Sequence, residues 1–140
     1  MKENFDLQIV EYLPDHWSEV DHFWGNVPEK RWDDQARALW QWLQPRCKHY
    51  LAFLKGRLVA NATLLHQEVL SQAGEQLSVG WITDLVATPG VQRRGIGQNL
   101  SKCLAKDAGV AATFSQTEFP RRCFSRLNWV GPHWRPLLGK

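Results

Sequence analysis

Between residues 92 and 97 the chain reads Gln92-Arg93-Arg94-Gly95-Ile96-Gly97, and these residue types at this spacing suit the holding of an anion. Glycines at the start of a helix let backbone N–H groups close on a ligand without a Cβ in the way. The first amides of a helix also lack intrahelical partners and sit at the positive end of its dipole. Arg93 and Arg94 add charge, and a guanidinium fork matches phosphate oxygens. A pyrophosphate-bearing cofactor fits such a cradle. Two other phosphate loops are excluded by spacing. A Walker A loop needs Lys and Ser/Thr after its last glycine, where this chain has Gln98 and Asn99; a dinucleotide fingerprint needs Gly-x-Gly-x-x-Gly, whereas here Gly-x-Gly closes the motif. Taken alone, the glycines and arginines also fit an ordinary solvated turn.

The cradle depends on the elements around it. Residues 81–87 read as a buried strand, Thr88-Pro89-Gly90 as a tight loop, and residues 96–106 as a helix. Upstream, residues 5–13 alternate as a half-buried strand, with Phe5, Leu7 and Ile9 on one side. Pro14-Asp15 opens a helix carrying Trp17, Val20 and Trp24, which Gly25 stops. A second helix is predicted over residues 28–43, with Trp32, Ala36, Leu39, Trp40 and Leu43 at helical spacing and Pro45 beyond. Residues 49–54 and 57–69 flank Lys55-Gly56 as a hairpin, and a polar loop over 71–76 leads into the motif strand from Leu77. After the motif helix come a short strand (110–114) and another helix (117–127). The last stretch, 129–138, holds Gly131, Pro132 and Pro136 and leaves room for one brief strand. The order β, α, α, β, β, β, α, β, α is that of an α/β protein.

Length and composition set bounds. At 140 residues the chain is expected to form one domain, residues 1–140. It has no apolar run approaching the roughly 20 residues that span a bilayer and no charged-then-apolar leader, so no membrane partner and a cytoplasmic location are expected. Cys47, Cys103 and Cys123 are an odd number without a Cys-x-x-Cys pair, which argues against a disulfide framework and a zinc ribbon. The five histidines never stand at i, i+4, and no metal is expected. Residues 1–45 hold four Lys/Arg against nine Asp/Glu, and residues 46–140 hold thirteen against five. The basic part contains the cradle. Its cations form no dense run, so cofactor binding accounts for it more economically than nucleic acid does.

Eight tryptophans is several times ordinary usage, and five lie between Trp17 and Trp42. Most read as core filler of a helix pair whose acids are solvated. The functional alternative is an aromatic and acidic wall, with Asp21, Glu29, Asp33 and Asp34, that receives a cationic amine by cation–π and Coulomb attraction.

The wider register carries a resemblance. Leu85, Ala87, Pro89, Gln92, Gly95, Ile96, Gly97 and Leu100 resemble motif A of the GCN5-related N-acetyltransferases (GNAT), whose usual form is Leu-x-Val-x-Pro-x-x-(Arg/Gln)-x-x-Gly-x-Gly, with Ala87 replacing the Val. The resemblance implies a mixed central sheet with helices on both faces. The C-terminal strands would be shortened, so that either the sheet is truncated or a second chain completes its edge in a homodimer. It also implies that Leu85, Val86 and Ala87 bond the pantetheine of acetyl-CoA through their backbone, while Gln92, Arg93, Arg94, Gly95, Ile96, Gly97 and Gln98 hold the pyrophosphate.

In that family the acceptor amine attacks the acetyl group directly, which requires a route for its proton and a donor for the departing thiolate. Many relatives place a carboxylate on the motif strand eight or nine residues before the Gln/Arg of the loop, where this chain has Asp84 and Thr83. Asp84 is therefore the candidate general base, through water, on the ground that a carboxylate beside an apolar strand is shifted toward neutrality. The opposing reading gives Asp84 only the fixing of a strand bulge or an arginine pairing. The family's thiolate donor is commonly a tyrosine on the last helix, and here Phe124 stands in its place. Ser115, Cys123, Ser125 or water would then have to serve.

Patches over residues 57–134, among them Leu64-Leu65-His66, Val79-Gly80-Trp81-Ile82 and Asn128-Trp129 with Gly131-Pro132, are similar to the aminoglycoside 2′-N-acetyltransferase branch, which has a longer C-terminal segment. The reading is an acetyl-CoA-dependent N-acetyltransferase acting on a primary amine of a small molecule, and the resemblance to that branch implies an aminoglycoside-like acceptor. The alternative is a CoA-binding regulatory or adaptor module with little or no catalysis.

Overall fold

The computed structural model describes residues 6–28, 30–91 and 95–113. Five strands form one sheet in chain order: β1 (Leu7–Glu11), β2 (Lys48–Leu54), β3 (Arg57–Leu70), β4 (Gln76–Ala87) and β5 (Ala111–Thr113). The first four pair antiparallel, and β5 lies parallel to β4. A parallel neighbour needs a crossover, which is supplied by α3 (Ile96–Ala108). Helices α1 (Trp17–Gly25) and α2 (Asp34–Leu43) fill the connection between β1 and β2. This is the mixed α/β sheet that the sequence predicts.

Period-2 alternation feeds two cores. Ala52 and Leu54 of β2 join Ala60, Leu64, Ile82 and Leu85 in one layer, closed by Ile96, Leu100 and Leu104 of α3. Leu51 and, in part, Phe53 point to the other layer, with Val20, Phe23 and Trp24 of α1 and Trp40 of α2. Helices therefore cover both faces. The β2–β3 hairpin turns at Lys55 (φ 51°) and Gly56 (φ 77°), the paired left-handed geometry of a two-residue turn whose twist matches the strands. At the far end of the motif helix, α3 comes so close to β4 that a Cβ on Gly80 would lie 2.5 Å from Ala108 Cβ and 2.8 Å from Leu64 Cδ1. Only glycine fits there.

The second helix starts later than its hydrophobic spacing suggests. It begins at Asp34 rather than residue 28, because Asp33 is its N-cap and accepts from the Ala36 amide at 2.9 Å. Trp32 thus belongs to the α1–α2 connection. The predicted helix over 117–127 and the closing strand lie outside the described residues.

Candidate functional site

The motif strand breaks its own ladder. Thr63 pairs with Thr83 and Asn61 with Val86, so Asp84 and Leu85 together stand opposite the single residue Ala62. This is a β-bulge, and Asp84 takes the left-handed conformation at φ 50°. Aspartate is among the few side chains that tolerate this region. Asn61, fully buried in the middle of an apolar strand, donates from Nδ2 to the Asp84 carbonyl at 3.2 Å and so fixes the bulge from below. On the other side of β4, the described residues of β5 pair with Gly80, Trp81 and Ile82. Leu85 and Ala87 are buried, and Val86 is half-buried.

Strand β4 turns through Pro89–Val91 toward α3. Gly95 is the helix N-cap at φ 77°, and a Cβ built there meets nothing within 4 Å. Among the described residues the first bond of the helix runs from the Asn99 amide to the Gly95 carbonyl at 3.0 Å, and the amides of Ile96, Gly97 and Gln98 are the helix's leading donors. Ile96 is anchored in the core and Gly97 is buried, which holds this helix end rigidly. A left-handed glycine with open space at its Cβ position, followed by the leading amides of the helix, fits a phosphate. Gln92, Arg93, Arg94, Ser115 and Phe124 lie outside the described residues.

Beside the bulge is a pocket of about 160 Å³. Trp24, Trp32 and Trp40 form its aromatic wall, Ala36, Leu39 and Leu43 add aliphatic surface, and Lys30, Arg31 and Asp84 bring charge. Trp24 and Trp32 stack with ring centroids 5.9 Å apart, and Trp17 supports Trp40 at 5.5 Å. Of the two sequence readings of the tryptophans, each holds in part: Trp24 and Trp40 are core residues of the helix layer and also surface the pocket.

Asp21, Asp33 and Asp34 do not form the acidic wall of the functional alternative. Asp21 accepts from Trp32 Nε1 at 2.6 Å and Arg37 Nε at 2.7 Å, and the Arg37 guanidinium holds its carboxyl below the usual range. Asp34 pairs with Arg37 at 3.2 Å, and Asp33 caps α2 and pairs with Arg31. These acids tie the helix pair together, and Glu29 is not among the described residues. Asp84 is the carboxylate that lines the pocket. It is exposed.

Beneath the pocket lies a polar chain that spacing did not reveal. His49, 2% exposed, stacks on Trp40 at 4.0 Å and 18°. Its Nδ1 is 2.9 Å from Thr63 Oγ1, and its Nε2 lies 3.6 Å from Cys47 Sγ. Burial lowers the His49 pKa to about 4, so the ring is neutral. Burial, and then Asp84, raise the Cys47 thiol to about 11, which makes it inert as a nucleophile. The available sequence signal was polar Asn61 and Thr63 inside an otherwise apolar strand run. Among the described residues no group of three His, Cys, Asp or Glu side chains is arranged to hold a metal, and no helix is long and apolar enough to cross a membrane.

Solved structures share this architecture. A predicted acetyltransferase from Clostridium acetobutylicum, determined with acetyl-CoA, superposes with a TM-score of 0.71 at 12% identity, covering 94% of this chain and 95% of that one. An acetyltransferase from Trypanosoma brucei gives 0.67 at 19%, covering 96% and 100%. An aminoglycoside N-acetyltransferase in complex with CoA gives 0.72 at 13%, covering 100% and 98%. At these identities the likeness is one of fold. No curated protein matches the sequence. The acetyltransferase (GNAT) family pattern matches residues 11–113, from the end of β1 through β5, and encloses both the bulge and the cradle; the chain belongs to that family.

Proposed function

We propose that this protein, acting as one domain over residues 1–140, transfers the acetyl group of acetyl-CoA to a primary amine of a small molecule. The observation that carries the reading is the Asp84 bulge. It sets a carboxylate against an aromatic pocket, and the strand that continues from it leads into the glycine cradle. Leu85, Val86 and Ala87 would bond the pantetheine, and the leading amides of α3 with Gln92, Arg93 and Arg94 would hold the pyrophosphate. Acetyl-CoA supplies the activated thioester. The amine nitrogen attacks its carbonyl carbon, the C–N bond forms, the C–S bond breaks, and the sulfur leaves as thiolate. Asp84 accepts the amine's proton through water, with Thr83 beside it. Ser115 or solvent protonates the thiolate, because Phe124 has no proton to give.

A cytoplasmic location and a homodimer completing the sheet edge belong to the same proposal. An aminoglycoside-like acceptor draws support from the sequence patches and from neighbours of that activity; the charge lining the pocket supports it less well. The second reading, a CoA-binding regulatory module, is favoured by Phe124. The test is thiol release from acetyl-CoA across a panel of amines, beside a thermal-shift titration with acetyl-CoA. Stabilisation with amine-dependent release supports the enzyme. Stabilisation without release from any amine supports the regulatory module, and no stabilisation refutes both.

A further inference from the structure

The first third of the chain is acidic, yet its pocket is not. Asp21, Asp33 and Asp34 are all engaged by arginines or by a helix cap, and the cations Lys30 and Arg31 reach the pocket instead. Arg31 is shared with Asp33. Lys30 has no carboxylate partner among the described residues, and its ammonium sits 5.7 Å from the Trp24 ring centroid. Among the described residues the remaining charged group is Asp84, contributed from the sheet.

Size narrows the occupant further. The pocket's 160 Å³ or so is close to the roughly 150 Å³ cavity that takes up a single benzene. The half-buried Trp32, the small exposed parts of Trp24 and Trp40, and the aliphatic surface of Ala36, Leu39 and Leu43 suit one ring. In this open pocket a polycation of several rings sets further ammonium groups against Lys30 and Arg31.

We propose that the acceptor is a compact primary amine built on a single ring and bearing one anionic group, a carboxylate or a phosphate. The ring lies on the tryptophan wall, the amine faces Asp84, and Lys30 selects for the anion. The proposal rests on the acetyl-transfer reading of this site, and its test is arranged so that the two can fail separately.

Thiol release is measured on matched amines, phenylalanine against phenethylamine and galactosamine 1-phosphate against galactosamine, with kanamycin as the polycation, for the wild type and for Lys30→Glu. In parallel, quenching of tryptophan fluorescence by the same amines reports binding without turnover. The expected result is a kcat/KM about tenfold higher for at least one anionic member than for its neutral partner, and reversing the Lys30 charge abolishes that preference through KM. Which pair shows the preference identifies carboxylate or phosphate. Saturable quenching by an anionic ring amine, weakened by Lys30→Glu but without thiol release, upholds the acceptor class and sinks the acetyl-transfer reading. Turnover that favours kanamycin or the neutral partners overturns the acceptor class and leaves the enzyme standing. An anionic preference that survives Lys30→Glu, or neither quenching nor turnover with any anionic amine, also overturns it. Lys30 is exposed and outside both cores, so its substitution leaves the fold intact.

Discussion

The buried imidazole beneath the pocket makes stability depend on pH in a way that can be worked out. His49 is sealed between Trp40, Thr63 and Cys47, and burial takes its pKa from the ordinary 6.5 to about 4. In the unfolded chain the ring picks up a proton as pH falls through 6.5; in the folded chain it does so only near 4. Between these values the unfolded state binds the extra proton, so stability falls as pH falls. The His49 contribution is therefore complete above 6.5 and is lost as pH drops toward 4. The full difference is worth about 3 kcal/mol. Urea unfolding of the wild type and of His49→Gln between about pH 7 and 4.5 isolates this contribution, because Gln does not titrate. Partners hold the carboxyls of Asp21, Asp33 and Asp107 below the usual range. Their own losses therefore begin at lower pH and cancel in the difference between the two proteins. The advantage of the wild type should shrink by about 2–3 kcal/mol across this interval. Parallel stability curves would refute both the burial and the neutral stacking of His49 on Trp40.

Other substitutions probe the cradle, the packing and the chemistry. Gly95→Val places a β-branched residue at φ 77° in open space, with a local strain of about 1–2 kcal/mol; calorimetry should find acetyl-CoA binding lost from a protein that still unfolds cooperatively. Gly80→Ala drives a Cβ into Ala108 and Leu64, and should cost about 1–3 kcal/mol in urea unfolding with acetyl-CoA affinity retained. Asp84→Asn should lower kcat by about 10²-fold or more and remove the fall in kcat at low pH that protonation of a base produces, whereas an unaltered profile returns Asp84 to a structural role.

Much of this architecture is legible from pattern alone, because both sheet faces are covered and alternate residues must be apolar to match. The hairpin follows from Lys55-Gly56, and the motif helix from Gly95 and Gly109 at its two ends. The start of α2 was obscured because Trp32 falls in helical register without being helical; Asp33, as a cap, is the stronger signal. The bulge is another matter. A bulge was one of two readings of Asp84, but that Asp84 and Leu85 share one partner is decided by cross-strand register and here by a hydrogen bond from Asn61, 23 residues earlier. Charge was harder to read: counting acids left a negative wall open as the alternative, whereas pairing with Arg31 and Arg37 leaves Lys30 exposed beside the pocket.

The two sequence readings of Asp84, bulge former and base, are not rivals, because the backbone conformation that makes the bulge also suits the proposed base. Its left-handed φ carries β4 out of register with β3, and Asp84 lines the tryptophan pocket. Replacing Asp84 by alanine therefore confounds the roles. A Cβ without a polar group disfavours φ 50°, the bulge relaxes, and Leu85 to Ala87 shift with it, so lost activity would report misplaced strand backbone as readily as a missing base. Asparagine shares aspartate's tolerance of this conformation and keeps the carbonyl that Asn61 holds, while removing the charge and the proton-accepting group. A loss in Asp84→Asn with acetyl-CoA affinity unchanged belongs to the carboxylate; a loss of both in Asp84→Ala belongs to the bulge.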